Sequence, residues 1–219
     1  MSIKLKNAIK KNTFLHKIFQ SFLNIVYRKS FKKLYIYLII YKGKKLPKIP
    51  SPLEKVKIVK EYAKKFNIET FIETGTYKGA MVNAIKDEFK NIYSIELSKK
   101  LHEEANNKFS QYSHIKIIQG DSGKVLPKLL KNIKQPSLFW LDAHYSLGET
   151  ARATLDCPIL EEIRAILSHN IKNHIVLIDD AWGFGMFKDW PKLNDFKEFV
   201  ISINNHLHYE IKNQVIIIY

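Results

Sequence analysis

Apolar segments in this chain repeatedly end in an acidic residue. These acids are Glu73, Glu96, Asp121, Asp142 and the neighbouring pair Asp179 and Asp180. Grouped carboxylates bind cationic ligands, hold metal ions or accept protons. Surface acids that are merely solvated would not fall at the same place after five successive apolar segments. The acids are therefore candidates for one binding or catalytic site.

The segment that begins at the first of these acids contains two of the chain's eight glycines. Its sequence is ETGTYKG, from Glu73 to Gly79. An apolar strand followed by a glycine turn and a helix brings backbone close to a ligand. The dinucleotide pattern G-x-G-x-x-G has a third glycine and cradles a diphosphate, which Glu73 would repel. The pattern favours a ligand with a cationic end, such as S-adenosylmethionine (SAM), over a nicotinamide dinucleotide.

The elements that position these acids are strands and helices in alternation from residue 51 onward. Short apolar segments alternate with segments of helical periodicity, which predicts an α/β fold with a doubly wound, mostly parallel, seven-stranded, Rossmann-like sheet. Ser51 and Ser98 are predicted helix caps, and Pro127 is predicted to break a helix early. The last twelve residues predict a hairpin joined near Lys212–Asn213. In such sheets ligands bind beyond the carboxyl ends of the strands, where the acids lie.

ETGTYKG resembles motif I of the class I SAM-dependent methyltransferases, and the resemblance continues in register over residues 68–182. In that family an acid ending the second strand holds the ribose hydroxyls, which implies this role for Glu96. An acid ending the third strand contacts the adenine amine, which implies Asp121 with Ser122 beside it. The resemblance thus implies as cofactor-binding residues Glu73, Gly75, Thr76, Gly79, Glu96, Asp121 and Ser122. The structural alternative is that both glycines only form a tight turn and both later acids only cap helices.

A second group of acids follows the fourth and fifth strands in the segments LDAHYS and LIDDAW. Asp142, Asp179 and Asp180 would repel one another unless a cation joined them, and an all-oxygen site favours Mg²⁺. The arrangement resembles the metal site of catechol- and macrocin-type O-methyltransferases, which implies these three residues as ligands. Asp142 and His144 are the candidate catalytic residues, with His144 as a base where macrocin-type enzymes tend to carry an acid. The alternatives are that Asp179 only orients the following turn and that His144 is a polar loop residue.

Two long connections leave the same edge of the predicted sheet. Tyr145–Pro158 is a 14-residue connection that would act as a lid or substrate loop, with Arg152 facing an anionic substrate, or would be a surface loop. Ala181–Trp190 is rich in glycine and aromatic residues. Its rings would either stack on a sugar or aromatic acceptor or pack against the core. They are Trp182, Phe184, Phe187 and Trp190.

The first fifty residues have a different composition. They contain twelve Lys, one Arg and no acid, which accounts for +13 of the net charge of +15. Apolar residues recur among these lysines at helical spacing. Residues 1–45 are predicted to lie on an anionic membrane surface, or to pack on the core or a second subunit; nucleic-acid binding is a weaker alternative. Three prolines in Leu46–Pro52 indicate a linker, so we predict an extension over 1–50 and a methyltransferase domain over 51–219.

Together these observations favour an enzyme that transfers a methyl group from SAM to an oxygen of a small molecule or a glycan- or lipid-linked sugar, with metal assistance. The alternatives are an RNA methyltransferase recruited by the basic arm and a non-catalytic membrane-associated protein. The chain lacks the N-P-P-Y and D-P-P-Y signatures of exocyclic amine methylation, and Cys157 lies in the long connection. A single cysteine fits a reducing compartment, which predicts a cytoplasmic protein, peripheral at the inner membrane surface if the extension binds lipid. A homo-oligomer is compatible with the packing alternative for the extension.

Overall fold

A computed structural model describes residues 50–143, 157–185 and 189–219 of the chain. The helices are α1 (Pro52–Phe66), α2 (Ala80–Ile85), α3 (Lys99–Phe109), α4 (Ser122–Leu130), α5 (Ile159–Leu167) and α6 (Leu193–Ile203), with a 3₁₀ turn at Ala181–Gly183. The strands are β1 (Thr70–Thr74), β2 (Asn91–Glu96), β3 (Ile115–Gln119), β4 (Leu138–Leu141), β5 (Ile175–Ile178), β6 (Tyr209–Lys212) and β7 (Val215–Ile218).

The strands form one seven-stranded sheet in the order β3-β2-β1-β4-β5-β7-β6. The first five strands in that order are parallel, and β7 pairs antiparallel with both β5 and β6. The chain moves outward from β1 to β3 and then returns to the other side of β1 with β4. This reversal between β1 and β4 is a switch point, where a crevice opens beyond the carboxyl ends of the strands. The predicted doubly wound, Rossmann-like fold is confirmed.

The sheet separates two apolar cores because successive strand residues face opposite sides. In β4, Phe139 packs with α4, α5 and α6 on one side, whereas Trp140 packs with α1, α2 and α3 on the other. Both rings are fully buried. Strands covered on both faces explain why the sequence shows continuous apolar segments instead of alternating ones.

Local sequence signals determine several helix ends. Ser51 and Glu54 form a capping box at the start of α1, with Pro52 at the first helical position. Ser98 accepts a hydrogen bond from the Leu101 amide and caps α3. The predicted caps at Ser51 and Ser98 are therefore confirmed, and so is the closing hairpin, whose turn lies between Lys212 and Val215.

One local prediction is wrong, because Pro127 does not break its helix. Helix α4 runs from Ser122 to Leu130 with the proline inside it. The missing proline N–H removes a single backbone hydrogen bond. Leu126, Leu129 and Leu130 are buried in the core, and this packing holds the helix together across the proline.

The predicted extension over residues 1–50 lies outside the described residues except at its last position, so its structure and its boundary stay predictions. Among the described residues, none of the helices is long and apolar enough to cross a membrane.

Candidate functional site

The predicted site residues collect at one edge of the sheet. Glu73 is the next-to-last residue of β1, and Glu96 ends β2. Asp121 precedes α4, Asp142 follows β4, and Asp179 follows β5. Because these strands are parallel neighbours, their carboxyl ends lie side by side. Burial and the charges of Asp142 and Glu96 raise the pKa of Glu73, so these three carboxyl groups act on one another through space. The structure therefore places the acids at a common edge, as the sequence predicts.

The glycine turn after β1 is held tightly by backbone contacts. The amides of Gly75 and Thr76 both donate to the carbonyl of Ile95, at 2.9 and 3.3 Å, and Gly79 donates to Thr76 at 2.8 Å. Gly75 and Gly79 have φ angles of +88° and +65°, which residues with a Cβ atom rarely adopt. A Cβ on Gly79 would meet the Phe109 ring at 2.6 Å. Both glycines thus have a structural reason for their identity, whatever ligand the turn faces.

A chain of buried polar side chains lies beneath this turn. The Ser94 hydroxyl is 2.5 Å from Glu73 Oε2, to which it donates, and 2.6 Å from Thr76 Oγ1. Glu73 is 2% exposed, and burial raises the pKa of its carboxyl to about 8, although the bond from Ser94 opposes the rise. Glu73 is therefore largely neutral near pH 7 in the absence of a bound cation, which the sequence alone did not predict.

Glu96 braces the loops on either side of it. Its Oε2 accepts from the Tyr77 amide and its Oε1 from the Ser98 amide, each at 2.8 Å. The carboxylate thus connects the glycine turn to the N-cap of α3 through two hydrogen bonds. Each carboxylate oxygen can accept a further hydrogen bond, so the bracing contacts leave capacity for ligand hydroxyls.

Asp121 and Ser122 form the start of α4. Asp121 is the N-cap, and its Oδ1 accepts from the Gly123 amide at 3.1 Å. Its other oxygen lies 3.6 Å from the exposed ammonium of Lys124. Ser122 is buried at the first helical position. The structural alternative of a capping acid thus describes one oxygen of Asp121, and the other oxygen lies beside Lys124.

Glu162 is a buried acid at this edge that sequence reasoning missed. It lies in the first turn of α5, is 2% exposed, and its Oε1 has no hydrogen-bond partner. Burial raises the pKa of its carboxyl to about 7. The hydroxyls of Ser122 and Thr74 oppose that rise, but Thr74 Oγ1 also lacks a hydrogen bond of normal geometry. The weak polar contacts therefore only partly compensate for the loss of water around Glu162.

The sequence did contain a signal for Glu162. Positions 159, 162, 163 and 166 share one helical face, and the other three residues are isoleucines buried in the core. An acid on such a face is either paired or functional. Its neighbour Glu161 is exposed and carries no such signal.

A small cavity of about 10 Å³ lies beside Glu162, which is about the volume that one water molecule needs. Glu162 and Asp179 both line it, together with Cys157, Phe184 and Trp190.

The Phe184 ring packs edge-on against Trp190 at 5.5 Å and against Phe196 at 5.0 Å. Of the predicted acceptor-stacking rings, Phe184 and Trp190 therefore contribute to the core as well as to the cavity wall. Trp182 is also buried, and Phe187 lies outside the described residues.

The three aspartates predicted as metal ligands come together. One carboxylate oxygen from each of Asp142, Asp179 and Asp180 lies within 4.8 Å of the others. The pairing of β4 with β5 sets this proximity, since Leu141 and Ile178 are in register one residue before Asp142 and Asp179. Asp180 has a left-handed backbone at φ 53°, and its amide donates to Asp179 Oδ1 at 2.8 Å. Asp179 thus orients the following turn and also faces the cluster.

Lys55 supplies a positive charge to this cluster and was not predicted from the sequence. Its ammonium donates to Asp179 Oδ2 in a very close contact and lies 3.4 Å from Asp180 Oδ1. Burial lowers the pKa of Lys55, but Asp179, Asp180 and Asp142 outweigh burial, and the net pKa is raised. Burial and the charges of Asp142 and Asp180 raise the pKa of Asp179, against the effect of Lys55. The two shifts differ in cause, because burial raises the pKa of Asp179 whereas the neighbouring carboxylates raise that of Lys55.

The donor set fits a divalent cation. Three carboxylate oxygens within 4.8 Å of one another are the kind of donor set that a hard divalent cation would accept. The mutual repulsion of neighbouring carboxylates favours a cation among them. His144, Arg152 and most of the predicted lid lie outside the described residues. The role of His144 as a base stays a prediction.

The chain shares its fold with solved methyltransferases. It is similar to the O-methyltransferase from Bacillus cereus in complex with S-adenosylhomocysteine (SAH), with a TM-score of 0.56, 11% identity, and coverage of 84% of this chain and 87% of the other. It is also similar to the O-methyltransferase TomG from Streptomyces achromogenes, involved in tomaymycin synthesis, in complex with SAM, with a TM-score of 0.53 and 14% identity. This match covers 79% of this chain and 82% of the other. A third similar structure is the SAH-bound Podospora anserina methyltransferase PaMTH1, with a TM-score of 0.52 and 17% identity. This match covers 78% of this chain and 79% of the other.

Comparison with protein-family models and with curated proteins finds no match. At these identities the structural likeness establishes the fold, which is that of the Rossmann-like methyltransferases.

Proposed function

We propose that the protein is a SAM-dependent methyltransferase that methylates an oxygen atom. The observation that carries the proposal is the convergence of acids at the carboxyl ends of β1 to β5, beside the switch point of a methyltransferase fold. SAM carries a sulfonium and an amine, and an acidic crevice matches both charges. The neighbouring structures bound to SAM or SAH support the same cofactor.

In the proposed complex the residues at the ends of β1, β2 and β3 would hold the cofactor. Glu96 accepts hydrogen bonds from the ribose hydroxyls through the lone pairs that its bracing contacts leave. Asp121 and Ser122 bind the adenine end. The turn formed by Gly75, Thr76 and Gly79 approaches the methionyl end, where Glu73 ionises in response to the cofactor's positive charge.

The acceptor side of the proposed site lies at the ends of β4 and β5. Methyl transfer is an in-line displacement, so the protein must align the acceptor oxygen with the sulfonium methyl and exclude water. The acceptor hydroxyl must also lose its proton, and Asp142 and His144 are the proposed groups for this step. Asp142, Asp179 and Asp180 would hold a divalent ion, Mg²⁺ by ligand type, which when bound lowers the pKa of an acceptor hydroxyl.

The proposed acceptor is a small molecule or a glycan- or lipid-linked sugar. The +13 charge of residues 1–50 supports a location at an anionic membrane surface, where lipid-linked sugars are made. Under this proposal the extension brings the enzyme to its acceptor, and the domain over residues 51–219 performs the reaction.

Calorimetric titration of the full chain with SAM and with SAH tests the proposal. We expect both to bind, and Glu96→Gln to weaken both about tenfold or more, because it removes a charge-assisted acceptor. Glu103→Gln is the matched control, since Glu103 is an exposed acid on α3. Circular dichroism must show that Glu96→Gln still folds, because Glu96 also braces two backbone amides.

A folded wild-type chain that binds neither SAM nor SAH would reject the methyltransferase proposal and favour the non-catalytic alternative.

Once an acceptor is found in a panel of sugars and phenols, activity is measured in EDTA and after Mg²⁺ is returned. Activity that is unchanged by both treatments would remove the metal from the proposal and leave the methyltransferase in place.

A further inference from the structure

The Lys55 ammonium lies against two of the three carboxylates of the aspartate cluster. It contacts Asp179 and is 3.4 Å from Asp180, and Asp142 acts on the same ammonium. The side chains of Lys55 and Asp179 are 13% and 2% exposed, so water screens this pair only weakly. The ammonium and a divalent ion would share the same carboxylate oxygens, and two cations at one position repel each other.

We infer that Lys55 is a built-in cation that occupies the aspartate cluster and that a divalent ion must displace. The inference rests on the metal site in the proposed function and adds the residue that controls its occupancy. With Lys55 in place, its ammonium contacts two of the three carboxylates of the cluster. With Lys55 displaced, Asp179 and Asp180 no longer share their oxygens with its ammonium. The ion pair of Lys55 therefore lowers the affinity of the site for metal, because the ion must break this pair to bind.

The geometry of helix α1 makes such a displacement feasible. Lys55 is in the first turn of α1, and the capping box of Ser51 and Glu54 holds that turn without using the lysine side chain. A lysine has four rotatable side-chain bonds, so its ammonium can leave the cluster while the helix stays in place. The exchange changes a side-chain conformation and not the fold.

Binding of Mn²⁺, a spectroscopic substitute for Mg²⁺, tests the inference by electron paramagnetic resonance and calorimetry. We expect Lys55→Met to bind Mn²⁺ about tenfold or more tightly than the wild type, because the competing charge is gone. Lys57→Met is the matched control, since Lys57 is an exposed lysine on the same helix. It should bind as the wild type does. In EDTA, Lys55→Met should melt at a lower temperature than Lys57→Met, and Mg²⁺ should remove this difference because the ion replaces the lost positive charge.

A second measurement uses the unaltered chain and does not depend on how a variant folds. Amine acetylation followed by peptide mass spectrometry should label Lys55 slowly in EDTA and faster in saturating Mg²⁺. Labelling of Lys57 should not change. Labelling of Lys55 that is equally fast with and without Mg²⁺ would overturn the inference.

The possible failures are distinguishable because SAH binding is measured on the same samples. Equal Mn²⁺ affinity in the wild type and Lys55→Met overturns the inference alone. If SAH binds but neither protein binds Mn²⁺, the inference and the metal assistance both fail, while the methyltransferase stands. If SAH does not bind to either folded protein, the proposed function fails, and the Mn²⁺ comparison still decides the role of Lys55.

Discussion

A Cβ atom on Gly75 would lie 2.5 Å from the main-chain oxygen of Asp142, so the turn after β1 touches the end of β4 through its backbone. The Asp142 amide also donates to the carbonyl of Thr74 at 3.0 Å, one residue before this glycine. The candidate cofactor turn and the candidate metal ligand are therefore held by one set of contacts. A change at Gly75 must move one of them.

Gly75→Ala should destabilise the protein by about 2–5 kcal/mol, since it adds a side chain at a positive φ and a clash with backbone. Urea denaturation measures this change. Gly123→Ala is the control, because a Cβ at Gly123 would meet nothing closer than 3.5 Å and lies inside helix α4. The control should be neutral or slightly stabilising. Similar losses in both variants would contradict the close approach.

Glu162 should make the protein less stable as pH rises. Its pKa is raised from 4.5 to about 7 in the folded state, so the folded protein binds this proton more tightly than the unfolded chain does. The associated stability is present below about pH 4.5 and is lost as pH rises through about 7, by an amount on the order of 3 kcal/mol. Glu162→Gln should remove this part of the pH dependence.

Chemical denaturation at a series of pH values between 4 and 8 compares Glu162→Gln with the parent. Glu73 and Asp179 also have raised pKa values, so the difference between the two proteins is the quantity of interest. Glu161→Gln, at the exposed neighbouring position, should follow the parent at every pH. A Glu162→Gln curve parallel to the parent would show that this carboxyl does not titrate as its burial predicts.

SAM binding should depend on pH through Glu73. A cation bound beside this carboxyl lowers its pKa from about 8, so binding below pH 8 releases a proton. Affinity for SAM should therefore rise with pH up to about 8. Calorimetry in two buffers of different ionisation enthalpy counts the released proton. Glu73→Gln should bind without proton release, and Glu69→Gln, at a partly exposed position paired with Lys90, should behave as wild type. Equal proton release from Glu73→Gln would place the titrating group elsewhere.

Residues 1–50 should bind anionic membranes. With +13 of charge in this segment, we expect the full chain to sediment with phosphatidylglycerol vesicles but not with phosphatidylcholine vesicles, and less so as salt is raised. A full-length variant with six of these lysines changed to glutamine is the comparison. Salt-dependent RNA binding without vesicle binding would instead favour the RNA methyltransferase alternative.

Cys157 should be unreactive in the folded protein. It is buried immediately before α5, and burial raises the pKa of its thiol to about 12. The thiol thus stays protonated at pH 8, and a disulfide reagent such as Ellman's should label it only after unfolding in guanidinium chloride. Rapid labelling in native buffer would show that the thiol is accessible and would reopen a nucleophilic role.

Short-range patterns in the sequence were sufficient for the elements of this fold and for the position of most candidate site residues. Ser51 and Ser98 mark helix starts, apolar segments mark strands, and the strand–helix alternation leaves few topologies other than a parallel, doubly wound sheet. Because carboxyl ends of parallel strands share an edge, Glu96, Asp142 and Asp179 could be grouped from the sequence alone. These inferences succeed because backbone conformation and strand direction depend on neighbouring residues.

Only the tertiary structure decided which charges meet and which are buried. Lys55 and Asp179 are 124 positions apart, and nothing near Lys55 distinguishes it from the other lysines of α1. The raised pKa of Glu73 likewise depends on burial, because the packed elements around its carboxyl exclude water. Pro127 sits inside a helix because packing outweighs one lost hydrogen bond. Contact between distant residues and the loss of solvent depend on the packing of whole elements, which no local pattern encodes.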